Sequence, residues 1–312
     1  MSPLAFRTPP GATRRQRWLR YSPATRIAIF SLLMALLVAA CWGIAWTLGW
    51  TTKDAAPEAR RAGLLLRMVV PTLGAYLVLV LWIERRRPAE LAGPRRLAHV
   101  LGGMAAGAAL IASVMACLWL AGAYRVSGFH PDAPWIVPLL LAGVGTAIAE
   151  EIVFRGVLFR ICEEGLGSAA ALAISALLFG ALHLPNPGAT LWSSAAIALE
   201  AGVLLALVYM VWRSLPACMG VHLAWNFLEG TVFGSAVSGS GGTNSFIVGK
   251  LEGPAWLTGG VFGIEASVLT VVLSLAASCV LLGLARRRGM WVPARRRAPA
   301  DNGAIPAGTT PC

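Results

Sequence analysis

Long apolar runs separated by short polar connections dominate the pattern of the chain. Each run is close to the roughly 20 residues that a helix needs to cross the hydrocarbon core of a bilayer. The pattern therefore predicts an all-α, polytopic membrane protein with about eight transmembrane helices and a site in the core of the bundle. The predicted spans are residues 27–50, 64–83, 100–121, 136–159, 168–183, 193–212, 217–237 and 260–284.

The composition agrees with this class of protein. Of the 312 residues, 57% are hydrophobic and only 13% are charged, which is too apolar for an ordinary soluble domain. The first run, residues 27–50, is longer than the core of a signal peptide, which is roughly 7–15 residues, and no small-residue cleavage site follows it. We therefore expect this run to be retained as a span.

The chain divides into four segments. Residues 1–26 form a basic cytoplasmic segment that we expect to be disordered or to lie on the membrane surface. Residues 27–121 hold three N-terminal helices, and residues 135–284 hold the core with the candidate site. Residues 285–312 are predicted to be a basic, disordered tail, and 235–242 a flexible outer loop rich in glycine and serine.

The net charge of +12 is concentrated in residues 1–26, 84–96 and 285–297, which flank the spans. This is the positive-inside pattern of membrane proteins, with attraction to anionic lipid, so we expect the lipid bilayer as a partner and no nucleic acid. An even number of spans then places both termini in the cytoplasm. We expect the chain to lie in the plasma membrane. The six cysteines are scattered without C-x-x-C spacing and are predicted to be small core residues.

Two adjacent carboxylates and a guanidinium interrupt the run 136–159. Each acidic side chain costs roughly 2.5 to 3.5 kcal/mol at the centre of a membrane helix, so a simple anchor would not carry them. Glu151 and Arg155 are four residues apart and share a helix face, so they can pair, while Glu150 points about 100° away and is left available. Glu151 and Arg155 are interpreted as a helix-internal ion pair, with substrate positioning as the alternative.

Buried histidines and one asparagine complete the candidate site. His183 follows Phe179 by one helical turn, and His222 and Asn226 are one turn apart on a later span. With Glu150 they form a set of groups suited to the attack of water on a carbonyl. The carboxylate can act as general base, a histidine can align the water, and a histidine with the asparagine amide can donate hydrogen bonds to an oxyanion.

The depths of these residues agree only in part. At 1.5 Å per residue, Glu150 and Asn226 lie about 14 Å and His222 about 8 Å from the cytoplasmic ends of their predicted spans, but His183 lies about 22 Å from its own. A tilted helix, or one that begins below the surface, would be needed to bring His183 alongside.

Three further charged residues are predicted to be solvated, and two alternatives remain open for a fourth. Arg160, Glu163 and Glu164 follow the fourth span, in a cytoplasmic loop, and Glu265 lies near the outer end of the last predicted span. For Glu265, a solvated carboxylate at the interface and a role in the site are equally compatible with the sequence.

The three motifs, taken together and in order, resemble those of a known family. Glu150-Glu151-x-x-x-Arg155, Phe179-x-x-x-His183 and His222-x-x-x-Asn226 are similar to the motifs of the CPBP family, the CAAX proteases and bacteriocin-processing enzymes. These are intramembrane glutamic endopeptidases related to the type II CAAX prenyl protease, and the resemblance covers about residues 135–284. It implies that Glu150 and His183 activate water, that His222 and Asn226 form the oxyanion site, and that Glu151 and Arg155 support the structure or position substrate.

The resulting hypothesis is an intramembrane endopeptidase that cuts a membrane-associated peptide or protein near the cytoplasmic face and needs no cofactor. A divalent metal held by Glu150, His183 and His222 is conceivable but not favoured, because an oxyanion site explains Asn226 better. One alternative is a proton-coupled transporter that uses the same residues as a relay. Another is a scaffold or immunity protein that keeps the site without turnover.

Overall fold

The computed structural model describes residues 6–240 and 244–294. This part of the chain is mostly helical. Short helical turns cover Arg14–Gln16, Arg17–Tyr21, Ala255–Thr258, Gly260–Phe262 and Ile264–Ala266. The main helices are α1 (Pro23–Thr47), α2 (Pro57–Ile83), α3 (Arg96–Leu120), α4 (Ile136–Leu166), α5 (Ser168–Ala181), α6 (Leu191–Trp212), α7 (Leu215–Phe227) and α8 (Val268–Arg287).

Six helices in the described ranges, α1 to α4, α6 and α8, are long and apolar enough to cross a bilayer, and the chain is a multi-pass membrane protein. The predicted count of eight is not confirmed. Helix α5 has 14 residues, which extend about 21 Å against the roughly 30 Å of a hydrocarbon core. The last helix begins at Val268 rather than at residue 260, because Gly259, Gly260 and Gly263 adopt positive φ and break the chain into short turns.

Two short strands add a feature that the sequence analysis did not predict. Strand β1 (Tyr124–Phe129) pairs antiparallel with β2 (Ile247–Leu251), and Tyr124 lies opposite Leu251. The Tyr124 hydroxyl donates to the Phe233 carbonyl at 2.8 Å, which ties the sheet to the chain that follows α7. The sheet therefore fastens the connection after α3 to the one before α8.

Helices α3 and α7 pack at very short range through glycine. A Cβ on Gly103 would lie 2.2 Å from the Ala217 carbonyl oxygen, and one on Gly107 would lie 2.5 Å from that of Val221. The Gly-x-x-x-Gly spacing thus lets the two backbones touch, as is common between membrane helices. This contact fixes α7, the helix that carries His222 and Asn226.

One end of the bundle, here called the basic end, is closed by buried ion pairs. Arg160 is 1% exposed and its guanidinium lies 2.9 Å from Glu84, 3.6 Å from Glu90 and 3.2 Å from Glu164. Arg26, also buried, pairs with Glu84 at 2.8 Å and Glu164 at 2.6 Å. The N-terminal segment is therefore anchored to the bundle at its last residue.

The prediction that Arg160, Glu163 and Glu164 are solvated is wrong. Helix α4 continues to Leu166 instead of ending at residue 159, and all three side chains are buried. Glu163 is 1% exposed and pairs with Arg213 at the start of the turn between α6 and α7. The arginines that pair with these carboxylates offset the free-energy cost of burying their charge.

The first residues of the predicted C-terminal tail are ordered. Ser168 and Val292 form two hydrogen bonds of 2.9 Å, from the Ser168 amide to the Val292 carbonyl and from the Val292 amide to the Ser168 hydroxyl. Gly167, which joins α4 to α5, has φ +86°, and a Cβ there would lie 2.8 Å from the Ala294 amide nitrogen. The remainder of the predicted tail, residues 295–312, and residues 241 and 242 of the predicted outer loop lie outside the described residues.

Candidate active site

A cavity of about 220 Å³ lies in the bundle between α4, α5, α6 and α7. It is closed by residues of the α5–α6 and α7–α8 connections, which lie at the end of the bundle opposite the basic end. The wider helical turns of π geometry at Leu139–Gly145 and Ala198–Val203 contribute residues to its lining. Such turns often occur at functional sites. The four residues predicted to be catalytic line this cavity: Glu150, His183, His222 and Asn226.

The two adjacent glutamates take different positions around His222. Glu151 is fully buried, and its Oε1 accepts hydrogen bonds from Arg155 Nη1 at 2.9 Å and from His222 Nδ1 at 2.8 Å. The Glu150 side chain is 29% exposed, and its Oε2 lies 3.9 Å from His222 Nε2. One carboxylate thus holds the imidazole ring from behind while the other faces it across the cavity.

Arg155 links this arrangement to α6 and α5. Its Nη2 donates to the carbonyls of Ala201 at 3.0 Å and Gly202 at 3.3 Å. The guanidinium carbon lies 4.6 Å from the centre of the Phe179 ring, a cation–π contact. Arg155 therefore pairs with Glu151, as the spacing predicts, and also fixes the neighbouring helices.

His183 lies just beyond the end of α5 and is partly buried. Its Nδ1 is 2.7 Å from the Phe179 carbonyl oxygen. Because a carbonyl can only accept, Nδ1 carries the proton and Nε2 of the neutral ring is an acceptor. The Phe179 ring packs against both imidazoles, with ring centres 4.9 Å from His183 and 6.5 Å from His222.

The mismatch in depth between Glu150 and His183 disappears once α4 is given its observed length. Measured from the turn at Gly167, Glu150 lies 17 residues before and His183 lies 16 residues after. At 1.5 Å per residue both are about 25 Å from that turn. The expected difference arose from ending the fourth span at residue 159.

Asn226 is held with its amide at the cavity wall. It is 6% exposed, and its Nδ2 donates to the Ala142 carbonyl at 3.0 Å. The amide nitrogen carries two hydrogens, so the second remains for a group in the cavity.

Three buried carboxylates near the cavity were missed or misread in the sequence. Glu200 and Glu265 line the cavity and are 2% and 4% exposed, and Glu229 behind them is fully buried. Of the two alternatives left open for Glu265, the solvated carboxylate at the interface is wrong, because the side chain is buried and its Oε2 accepts from the Ser238 amide at 2.6 Å and hydroxyl at 2.9 Å. Glu200 and Glu229 interrupt predicted spans, the same signal that singled out Glu150.

Burial strongly influences the ionisation of Glu265, which lies in a turn outside the six long apolar helices. Burial raises the pKa of its carboxyl group, while the charge of His183 and the hydrogen bonds from Ser238 act in the opposite direction. The net pKa is above the ordinary value of a glutamate.

No group of three His, Cys, Asp or Glu side chains within residues 6–240 and 244–294 is arranged to hold a metal ion. The five cysteines in these ranges are free thiols.

A comparison with known families covers most of the residues of this site. Residues 132–228 match the family model described as Type II CAAX prenyl endopeptidase Rce1-like. These residues carry an Rce1-like domain. The match confirms the family resemblance and covers roughly a third of the chain, from the turn before α4 into the end of α7. No curated protein and no solved structure matches the chain.

The seven residues of the three motifs all fall inside the Rce1-like domain. The family supports a role as a CAAX-type intramembrane protease, a peptide hydrolase. Glu265 and the β1–β2 sheet lie outside the matched residues.

Proposed function

We propose that the protein is an intramembrane endopeptidase that hydrolyses a peptide bond of a membrane-associated peptide or protein in the plasma membrane. The observation that carries the proposal is the arrangement around His222. One carboxylate, Glu151, accepts from its Nδ1 at 2.8 Å, and a second, Glu150, lies 3.9 Å from its Nε2 in a cavity that also contains His183 and Asn226.

Glu150 is the general base in this proposal. It is the more exposed of the two adjacent acids, and its carboxylate borders the cavity in which a water would lie. His183 presents an acceptor nitrogen to the same cavity, because its Nδ1 donates to Phe179. A water that donates one hydrogen to each group would have its oxygen oriented toward a substrate carbonyl.

His222 and Asn226 supply the oxyanion site. An imidazole between two carboxylates is electrostatically favoured in its protonated form, in which both ring nitrogens donate. His222 Nε2 and the free hydrogen of the Asn226 amide can then point toward the oxygen of the tetrahedral intermediate. Glu151 and Arg155 are positioning residues, because they act through His222 and α6 rather than on the substrate.

The substrate is proposed to reach the cavity from the end opposite the basic end. The cavity residues Asn186, Val237, Ser238 and Ser240 all belong to connections at that end. By the positive-inside rule the basic end and both termini face the cytoplasm. The proposal therefore replaces cleavage near the cytoplasmic face with cleavage of segments presented from the outer side.

The test is cleavage of a peptide library by purified protein in lipid nanodiscs. The Glu150→Gln, His183→Ala and His222→Ala variants are compared with Glu58→Gln and His130→Ala, matched changes outside the cavity. We expect cleavage by the wild type and the two controls and a loss of at least about 100-fold in the three cavity variants. Equal cleavage by cavity and control variants, or proton-coupled transport without cleavage, contradicts the proposal.

A further inference from the structure

Buried carboxylates are treated in opposite ways at the two ends of this bundle. At the basic end Glu84, Glu90, Glu163 and Glu164 each contact at least one arginine within 4 Å. The chain thus provides a cation wherever it buries an acid there. This agrees with the high cost of an unpaired buried charge.

At the candidate active site the same compensation is missing. Glu200 Oε1 is buried without any hydrogen-bond donor in the described part of the chain, and so is Glu229 Oε2. Glu265 interacts electrostatically with both of these carboxylates, which adds repulsion to the cost of burial. No lysine or arginine is found among the described residues that line the cavity.

The arginine whose charge acts on Glu200 is already engaged by other groups. Arg155 donates to Glu151 and to the carbonyls of Ala201 and Gly202, the two residues that follow Glu200. It acts on Glu200 only as a distant charge. The cavity therefore combines Glu150, Glu200 and Glu265 with two imidazoles and has an excess of acidic groups.

We propose that Glu200, together with Glu265, forms an acidic subsite that binds a cationic group of the substrate next to the scissile bond. This inference rests on the proposed function and assigns a substrate class to it. The cation is an ammonium or guanidinium, supplied by a lysine or arginine side chain or by the amino terminus of a short peptide. A cavity of about 220 Å³ admits one such group beside the peptide bond.

The positions of the carboxylates decide which of them take part. Glu200 and Glu265 line the cavity, whereas Glu229 does not. Glu265 Oε2 is fixed by two hydrogen bonds from Ser238, so this carboxylate is held in place for a ligand. Glu229 accepts from the Ser235 hydroxyl at 3.3 Å and serves as the buried but non-lining comparison.

The test uses pairs of quenched fluorescent peptides that differ only by lysine or its uncharged isostere norleucine, each with a free or an acetylated amino terminus. We expect wild-type protein to prefer the cationic member of a pair by at least about tenfold in kcat/KM, the factor that one charged hydrogen bond supplies. In Glu200→Gln the ratio of kcat/KM for the cationic peptide to that for the neutral peptide falls to near one, and the change is mainly in KM. In Glu229→Gln this ratio stays as in the wild type. If the preference depends on lysine, the cation is a side chain of the substrate; if it depends on the free amino terminus, the cation is the terminal ammonium.

Equal cleavage of charged and neutral peptides by the wild type overturns the inference and leaves the proposed function standing. So does a loss of rate in Glu200→Gln that leaves the ratio unchanged, or an equal loss of the ratio in Glu229→Gln. If no peptide is cut, binding of the labelled pairs to Glu150→Gln protein decides instead, with tighter binding of the cationic peptide expected and equal binding contradicting the subsite. We also expect n-butylammonium, but not butanol, to compete with the cationic peptide for the wild-type protein. This measurement does not depend on the folding of any variant.

Discussion

Replacing Glu151 by glutamine tests how the ring of His222 is held. Glu151 is fully buried and its Oε1 accepts two charged hydrogen bonds, from Arg155 at 2.9 Å and from His222 at 2.8 Å. Removing one partner of a buried ion pair costs about 3–5 kcal/mol of folding free energy. Glutamine keeps an oxygen that can accept one of the bonds, so we expect a loss of about 3 kcal/mol.

The effect of the same change on catalysis follows from the tautomer of His222. A glutamine that accepts from Nδ1–H through its amide oxygen keeps the proton of a neutral ring on Nδ1, so Nε2 has no hydrogen to donate, and the change removes the charge that favours the doubly protonated ring. In catalytic triads the corresponding exchange of carboxylate for amide lowers kcat by about 10⁴. Here His222 is one of two oxyanion donors, so we expect a loss in kcat of about 10² to 10⁴ with little change in KM.

The assay combines thermal unfolding in detergent with peptide cleavage by Glu151→Gln and by Glu58→Gln, whose carboxylate is 78% exposed. Activity is compared below the unfolding range of both proteins. A folded Glu151→Gln protein with kcat within about threefold of the control would refute the reasoning, because His222 would then not depend on Glu151 for its orientation.

Three further outcomes concern the stability of the bundle. Arg160→Met removes one of the arginines that Glu84, Glu90 and Glu164 share, and each keeps a second one, so we expect a loss of about 3 kcal/mol in the free energy of unfolding, measured with denaturant in detergent. An unchanged value would contradict the pairing. Burial raises the pKa of Glu90, but hydrogen bonds and charge from Arg86 and Arg160 outweigh it and hold the pKa at about 2. The ionised Glu90 carboxylate therefore contributes its full stabilisation above its unfolded pKa, 4.5, and this contribution is lost as the pH falls toward about 2. We expect the Tm of the wild type to fall as the pH is lowered through this window. The Tm of Glu90→Gln should fall less over the same window. Gly103→Ala is expected to lower Tm, since its Cβ would lie 2.2 Å from a backbone oxygen, whereas the adjacent Gly102→Ala has open space and should leave Tm unchanged or raise it.

Residue spacing was sufficient for the features that depend on helix geometry. The pairing of Glu151 with Arg155 and the shared face of His222 and Asn226 follow from intervals of four residues. That Glu150 and His183 line one cavity follows from buried polar groups on successive spans. Their catalytic roles stay predictions.

The remaining features depend on contacts between distant parts of the chain. Helix α4 continues past residue 159 because Arg160 pairs with Glu84, 76 residues away in the sequence. The change from apolar to charged residues at this point therefore led the sequence analysis to end the helix too early. The contact of His222 with Glu151 requires the register of α7, which Gly103 and Gly107 fix through α3. The acids Glu200 and Glu229 were visible as interruptions of apolar runs, but only the fold shows that they lie beside Glu265.

The most direct test of the central claim is a single-turnover cleavage in ¹⁸O-labelled water, followed by mass spectrometry of the new carboxyl terminus. If Glu150 activates a water in the cavity, the first-turnover product of the wild type carries one ¹⁸O atom and Glu150→Gln gives no product above background. Product formed by Glu150→Gln at the wild-type rate, or a first-turnover product without ¹⁸O, would contradict the account.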